Sequence, residues 1–259
     1  MNSTIDLEKC LSFINCHLQP TGSPFAGRRR RAYQTITISR EAGAGGHSLA
    51  EKLVEALQNE EPQPTRPWTV FDRNLVERVL EDHNLPARLA KFMPEDHVSE
   101  MADTMDELFG LHPPSWVLVR KTSETILRLA AVGNVIIIGR GANVITSRID
   151  HVFHVRLVGS LEKRVKRLQE LNQLTYHQAL HLAEKEDLAR RRYLKQFFSK
   201  DINDPLLYHL VVNTDRVSLD EAASLVLLEL GVEAPAHPDP YKSRQARSVS
   251  PLAHSDLSA

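Results

Sequence analysis

Residues 36–53, ITISREAGAGGHSLAEKL, hold the densest chemistry in the chain. A β-branched run turns into three closely spaced glycines, Gly43, Gly45 and Gly46, and these run straight into a helical pattern. Glycine lets the backbone bend tightly and brings N–H groups close to an anion, while the start of a helix adds partial positive charge. In outline the stretch is a phosphate cradle. The standard phosphate-binding loop reads GxxxxGK[ST]. Laid on this chain, Arg40 stands for the first glycine, Gly45 is the second, Gly46 replaces the lysine and His47 the metal-holding hydroxyl, with Ser48 one place further on. A guanidinium binds phosphate oxygens in pairs, so Arg40 at the start of the loop can neutralise charge as the lysine does from its end. The candidate triphosphate contacts are Ser39, Gly43, Ala44, Gly45, Gly46, His47 and Ser48. Glu41 could position Arg40, hold magnesium through water, or be a solvated acid, and Ser48 is the other candidate metal contact. A glycine turn without any ligand is the alternative for the whole stretch.

Three more segments carry groups suited to the same ligand. FDR supplies Asp72 and Arg73, GRGAN supplies Arg140, and DLARRRYLKQFF supplies Asp187, Arg190 and Arg191. Asp187 and Arg190 are three apart and share a helix face, which Tyr193 continues. The arginines would bind phosphates and an aspartate could hold a base or ribose. Asp72 is also a reasonable helix N-cap, and the run from Arg190 to Arg192 reads equally as a solvated face.

These residues need elements to hold them. TITIS, WTVFD (68–72), VIII after Gly133, DHVFHVRLV (150–158) and YHLVVNTD (208–215) read as short apolar strands. Helical patterns follow: from Gly46 to about Gln58, from Leu75, along WVLVRKTSETILRLAAVGN up to Gly133, from Ser160, over 175–198, and from Ser218 to Gly231. Strands alternating with helices predict an α/β fold, a doubly wound, mostly parallel five-stranded sheet flanked by helices. In such a sheet ligands bind beyond the carboxyl ends of the strands, which is where Ser39, Asp72 and Gly139 fall.

The order of SRE-x-G-x-GG, FDRNLVERV, VIIIGRGANVI, HVFHVRLVGSLEKRVKRL, DLARRRYLKQFF and YHLVVNTDRVSLDEAA resembles the cytidylate-kinase-like family over about residues 34–230. In that branch of the P-loop nucleoside monophosphate kinases the SRE loop stands where GxxxxGK[ST] would be. The resemblance implies a P-loop kinase-like fold with a helical lid at about 160–200 and an acceptor-covering region at about 82–114. It implies ATP with Mg2+ as donor and small-molecule nucleotides as substrates, most simply a nucleoside monophosphate such as CMP. Gly139 and Arg140 match a GRD motif whose arginine contacts the acceptor, with Gly141 in place of the aspartate. Asp187 and Arg190 match an acidic and basic pair near the lid that contacts the acceptor; Asp72 and Arg73, from FDR at the same sheet edge, are the other candidate acceptor contacts. Arg40, Arg190 and Arg191 would be the catalytic cations. Arg164 and Arg167 are phosphate contacts or plain helix surface. Residues 82–114 match none of the cytidine-recognising motifs. A non-catalytic nucleotide- or phosphate-binding module, and a kinase for a non-nucleotide acceptor, are the alternatives.

The rest of the chain bounds these readings. Its 259 residues suffice for one large α/β domain, and 42% apolar with 25% charged residues is ordinary for a globular protein. A net charge of −1 suggests neither nucleic acid nor membrane as partner. The run of four arginines at 28–31 reads as a solvated tether, with RNA binding as its alternative. Residues 1–33 are expected to form an amphipathic helix and a basic linker, 34–232 the kinase-like domain, and 233–259 a disordered tail. The N-terminal residues lack the pattern of a secretory signal, and Cys10 and Cys16 read as reduced thiols, so the expected setting is cytoplasmic. A homodimer is left open.

Overall fold

A computed structural model describes residues 33–59, 67–72 and 117–232. The expected N-terminal helix and linker, the helix from Leu75, the acceptor-covering region, Arg73 and the C-terminal tail lie outside the described residues.

Five strands form one sheet: β1 (Thr35–Arg40), β2 (Thr69–Phe71), β3 (Val135–Ile138), β4 (Val152–Val158) and β5 (Leu210–Asn213). Their order is β2-β3-β1-β4-β5 and every pairing is parallel. The doubly wound parallel sheet expected from the alternation is the observed fold. Helices α1 (Gly46–Asn59), α2 (Val117–Val132), α3 (Ala142–Ile145), α4 (Leu161–Asn172), α5 (Tyr176–Phe198) and α6 (Leu219–Glu229) make the connections.

The two faces of the sheet differ, because side chains alternate along a strand. Ile36 and Ile38 of β1 point to one face, where Ile136, Ile138, Val155 and Leu157 join Leu49, Leu53 and Leu57 of α1 and Val226 of α6 in an apolar core. Thr35, Thr37 and Ser39 point to the other face and are all buried. Parallel register sets Thr37 beside His154 and Ser39 beside Arg156. This second face is apolar only on its β3 side, where Val135 and Ile137 pack with Phe71, Ile126, Leu194 and Phe198. The functional groups collect at its polar half.

Local chemistry sets the ends of the late helices. Ser160 caps α4, and Thr175 with Gln178 and Ser218 with Glu221 form capping boxes on α5 and α6. Helices α4 and α5 pack on each other through Val165, Leu168, Ala179 and Ala183, and Ala42 of the glycine loop joins that cluster. One expectation is refined. GRGANVI is a turn followed by the four-residue helix α3, and Gly139, Arg140 and Gly141 all have positive φ (80°, 56° and 71°). A non-glycine residue held in that region costs about 1 kcal/mol, a strain seen most often at functional turns.

Candidate functional site

The loop after β1 is fastened from behind. Asp187 on α5 accepts the Ala42 N–H with Oδ1 (2.7 Å) and binds Arg164 Nη1 through Oδ2 (2.8 Å). Arg164 Nη1 also donates to Ala42 O (2.9 Å), and Arg167 Nη1 donates to Gly43 O (2.8 Å). Glu41 accepts the Gly159 N–H at 3.0 Å and lies 3.3 Å from Arg164 Nε. Arg164, the centre of this network, is almost fully buried, and its charge is compensated by two carboxylates. Gly43 sits so close to the Arg164 carbonyl that a Cβ there would overlap it, and its φ is +76°. Glycine is the residue this point of the loop requires.

The other side of the loop faces outward. Leu49 donates the first helical bond of α1, to Gly45 O (2.9 Å), so the amides of Gly46, His47 and Ser48 precede the helix's own ladder. Ala44 N–H is already used, donating to Glu41 O (3.1 Å). His47 Nε2 lies 3.5 Å from Asp72 Oδ2, just after the end of β2.

Arg40 joins this loop to a cavity. Its side chain runs past Gly46, whose Cβ would meet Arg40 Cγ at 3.1 Å, and its guanidinium ends against Gly139, where a Cβ would overlap it. The cavity, about 250 Å³, lies among the ends of β1 and β3, the turn at 139–141, α3 and α5, and Ile202 also lines it. Ser39, Arg40, Arg140, Asn143, Glu186, Arg190 and Tyr193 line it. Glu186 is paired with Arg190, which also donates to Asp187 (3.1 Å). Burial, with repulsion from Arg190 second, lowers the Arg40 pKa to about 10. Burial raises the pKa of Tyr193 against the pull of Arg140.

The expected residues therefore separate. Arg40, Arg140 and Arg190 come together with Ser39 around one cavity, and Gly43, Gly45, Gly46, His47 and Ser48 form the adjoining loop. Asp187 lies behind the loop with both carboxylate oxygens engaged, and Arg191 stands in solvent. Arg164 and Arg167 hold loop carbonyls. Sequence reasoning missed Arg156, a buried guanidinium on β4. The signal was available in VFHVRLV, where His154 and Arg156 interrupt an apolar strand at period two.

The sequence profile of the cytidylate kinase-like family matches residues 35–216, from the first residue of β1 to just past β5. The chain belongs to that family. A cytidylate kinase from Staphylothermus marinus is 23% identical over 107 residues, 41% of this chain and 58% of the relative, so little more than half of that relative's length is spanned. Among solved structures, an uncharacterized protein from Eubacterium ventriosum superposes with a TM-score of 0.58 at 20% identity, covering 76% of this chain and 97% of the other. Shikimate kinase from Bacteroides thetaiotaomicron superposes more loosely, with a TM-score of 0.41 at 13% identity over 76% and 98% of the two chains. Within the family's matched span fall the SRE loop, the turn at 139–141 and the α4–α5 pair that grips the loop. No described helix is long and apolar enough to cross a membrane.

Proposed function

We propose that the chain transfers the terminal phosphoryl group of ATP, seated on the loop at residues 43–48, to a small acceptor in the neighbouring cavity. The favoured acceptor is a nucleoside monophosphate such as CMP. The reading rests on family membership and on one observation above all: Arg40 extends from the start of the loop to the cavity wall at Gly139. A phosphoryl group passing between donor and acceptor would cross its guanidinium. Transfer breaks the bond between the β–γ bridging oxygen and the γ-phosphorus and forms one from an acceptor phosphate oxygen, leaving ADP and a diphosphate. Charge spreads over the transferring oxygens, so positioning and electrostatic stabilisation do most of the catalytic work. Gly43, Gly45 and the first turn of α1 offer amides to the donor, Arg40 stands at the point of transfer, and Arg140 and Arg190 face the acceptor.

Magnesium is expected to arrive on the phosphates of ATP, where it neutralises their charge. Glu41, one candidate ligand, already serves Gly159 and Arg164, and no described group of three or more His, Cys, Asp or Glu is arranged to hold a metal. Ser48, at the start of α1, is the remaining candidate. A cytoplasmic setting suits an ATP consumer.

A coupled ADP-release assay with ATP, magnesium and a panel of nucleoside monophosphates and small phosphorylated alcohols tests the proposal. Turnover with one of them, lost in Arg40→Ala, is the expected result. Nucleotide binding without turnover, unchanged by Arg40→Ala, would leave a binding module instead.

A further inference from the structure

Arg156 is 3% exposed, on the polar half of the sheet face beneath the cavity. A buried guanidinium normally needs a carboxylate, and Arg164 has two. The direct contacts of Arg156 among the described residues are all neutral, and the carboxylates of Glu41 and Asp187 act on it only from further off. Its Nη1 donates to Ser39 Oγ (2.9 Å), its Nη2 reaches Asn203 Oδ1 at 3.4 Å, and its Cζ lies 5.8 Å from the centre of the Tyr208 ring. The bond to Ser39 is the one with good length.

That bond governs the only one of these partners that lines the cavity, Ser39. A serine hydroxyl has one proton to give and lone pairs to receive. Here a lone pair is taken by a cation. Tyr208 spends its own proton on Ile202 O at 2.9 Å, and its oxygen stands 3.4 Å from Ser39 Oγ, too long for a good O–H···O bond. Among the described residues the Ser39 proton has only this long contact to turn to, so an acceptor in the cavity at normal hydrogen-bond length would take it, and donation from a hydroxyl already polarised by a guanidinium is strengthened. The surrounding charge says what that acceptor is. Among the described residues Arg40, Arg140 and Arg190 line the space, and Glu186, the only carboxylate of that lining, is tied to Arg190. The described lining of the cavity therefore carries more positive than negative charge.

We infer that Arg156 is a positioning residue for an anionic acceptor: it holds Ser39 so that the serine hydroxyl donates to a phosphate oxygen of a phosphomonoester in the cavity. This rests on reading the cavity as the acceptor site, and it moves Ser39 from the triphosphate side, where its place beside the glycines suggested it, to the acceptor side. Arg156 gives the anion no direct contact. Its role is to fix the direction of the Ser39 proton and to add positive potential from below.

Full-length wild type, Arg156→Met, Ser39→Ala and the double variant are compared by calorimetry. The probes are CMP, AMP, GMP, UMP and inorganic phosphate, with ATP measured separately and steady-state KM values for ATP and the acceptor alongside. The expected result is a loss of about tenfold or more in affinity for the bound monophosphate in each single variant. The double variant should be no worse than the weaker single within about threefold, because both changes remove one interaction. Affinity and KM for ATP should stay within about twofold of wild type, which a merely structural role for Arg156 would not allow. Ser39→Ala keeps the test open should Arg156→Met fold poorly. Unchanged monophosphate affinity in Ser39→Ala, additive losses in the double variant, an equal fall in ATP affinity, or no binding of any probe by wild type would overturn the inference. Monophosphate binding with the expected pattern but no phosphoryl transfer sinks the kinase reading and leaves this one standing. Transfer with acceptor KM untouched by either substitution does the reverse.

Discussion

The back of the glycine loop and the cavity in front of it are both built with arginines, and they treat the charge in opposite ways. Behind the loop, Arg164 meets Glu41 and Asp187, and Arg167 meets a loop carbonyl. In front, Arg40 forms no ion pair among the described residues and has its pKa lowered to about 10 by burial, while Arg156 rests on a serine. A buried cation with its carboxylates present is a fastening. One without them costs stability, and under the proposed function it is the cation that a phosphate from solution would meet. Counter-charge thus separates Arg164 behind the loop from Arg40 and Arg156 in front of it, while Arg190, which lines the cavity and pairs with Glu186 and Asp187, combines the two conditions.

Removing a fastening should cost most. Asp187→Ala leaves Arg164 with one fewer carboxylate and frees the Ala42 amide, so unfolding free energy should fall by about 3–5 kcal/mol. Urea titration followed by circular dichroism measures it, and a loss below about 1 kcal/mol would mean that the back of the loop is not held as described. Removing a site cation should do the opposite. Arg40→Ala is expected to lower kcat by about 10²–10³-fold, the scale of one preorganised transition-state donor, while the melting temperature stays level or rises. A matching fall in stability would erase the contrast between the two sides.

The polar face beneath the cavity sharpens the comparison through pH. Burial, with His209 as a second cause, lowers the His154 pKa to about 4. Its ring nitrogen Nδ1 lies 2.8 Å from Thr37 Oγ1. The unfolded chain binds this proton near pH 6.5 and the folded chain only near 4. Stability is therefore complete above pH 6.5 and is lost as pH falls towards 4, by up to about 3 kcal/mol. Denaturation midpoints at pH 7 and 4.5 read the loss, and His154→Gln should flatten it. At the bottom of the scale, Lys52 and Asp220 pair on the surface between α1 and α6, with 40% and 53% side-chain exposure. Lys52→Ala should change stability by less than about 1 kcal/mol, and less still in high salt.

Much of the fold was legible because it is local. β-Branched runs became β1, β3 and β4, and Ser160 and Ser218 capped α4 and α6 where the sequence placed them. Strand ends were less legible: YHLVVNTD spans eight residues in the reading, yet β5 covers only Leu210–Asn213. Tyr208 turns its hydroxyl to Ile202 O, and the last residues enter the turn before α6. In the candidate site, the turn of the glycine loop was legible from its own residues, and Arg40, Arg140 and Arg190, singled out from their motifs, line one cavity. Asp187 was read as facing a ligand because its spacing to Arg190 is correct for a shared helix face. Spacing along one helix does not reveal that another element's guanidinium and a loop amide will claim both of its oxygens.

By itself the sequence determined the alternation of strands and helices, the bend of the glycine loop and the family, since each depends on neighbours in the chain or on the order of motifs. Tertiary structure alone decided which arginines meet carboxylates among the described residues and which do not. Asp187 meets Ala42 across 145 residues and Arg156 meets Ser39 across 117. Electrostatic partnership follows distance in space, and only the packed sheet, with β4 laid in register against β1, brings those groups within reach.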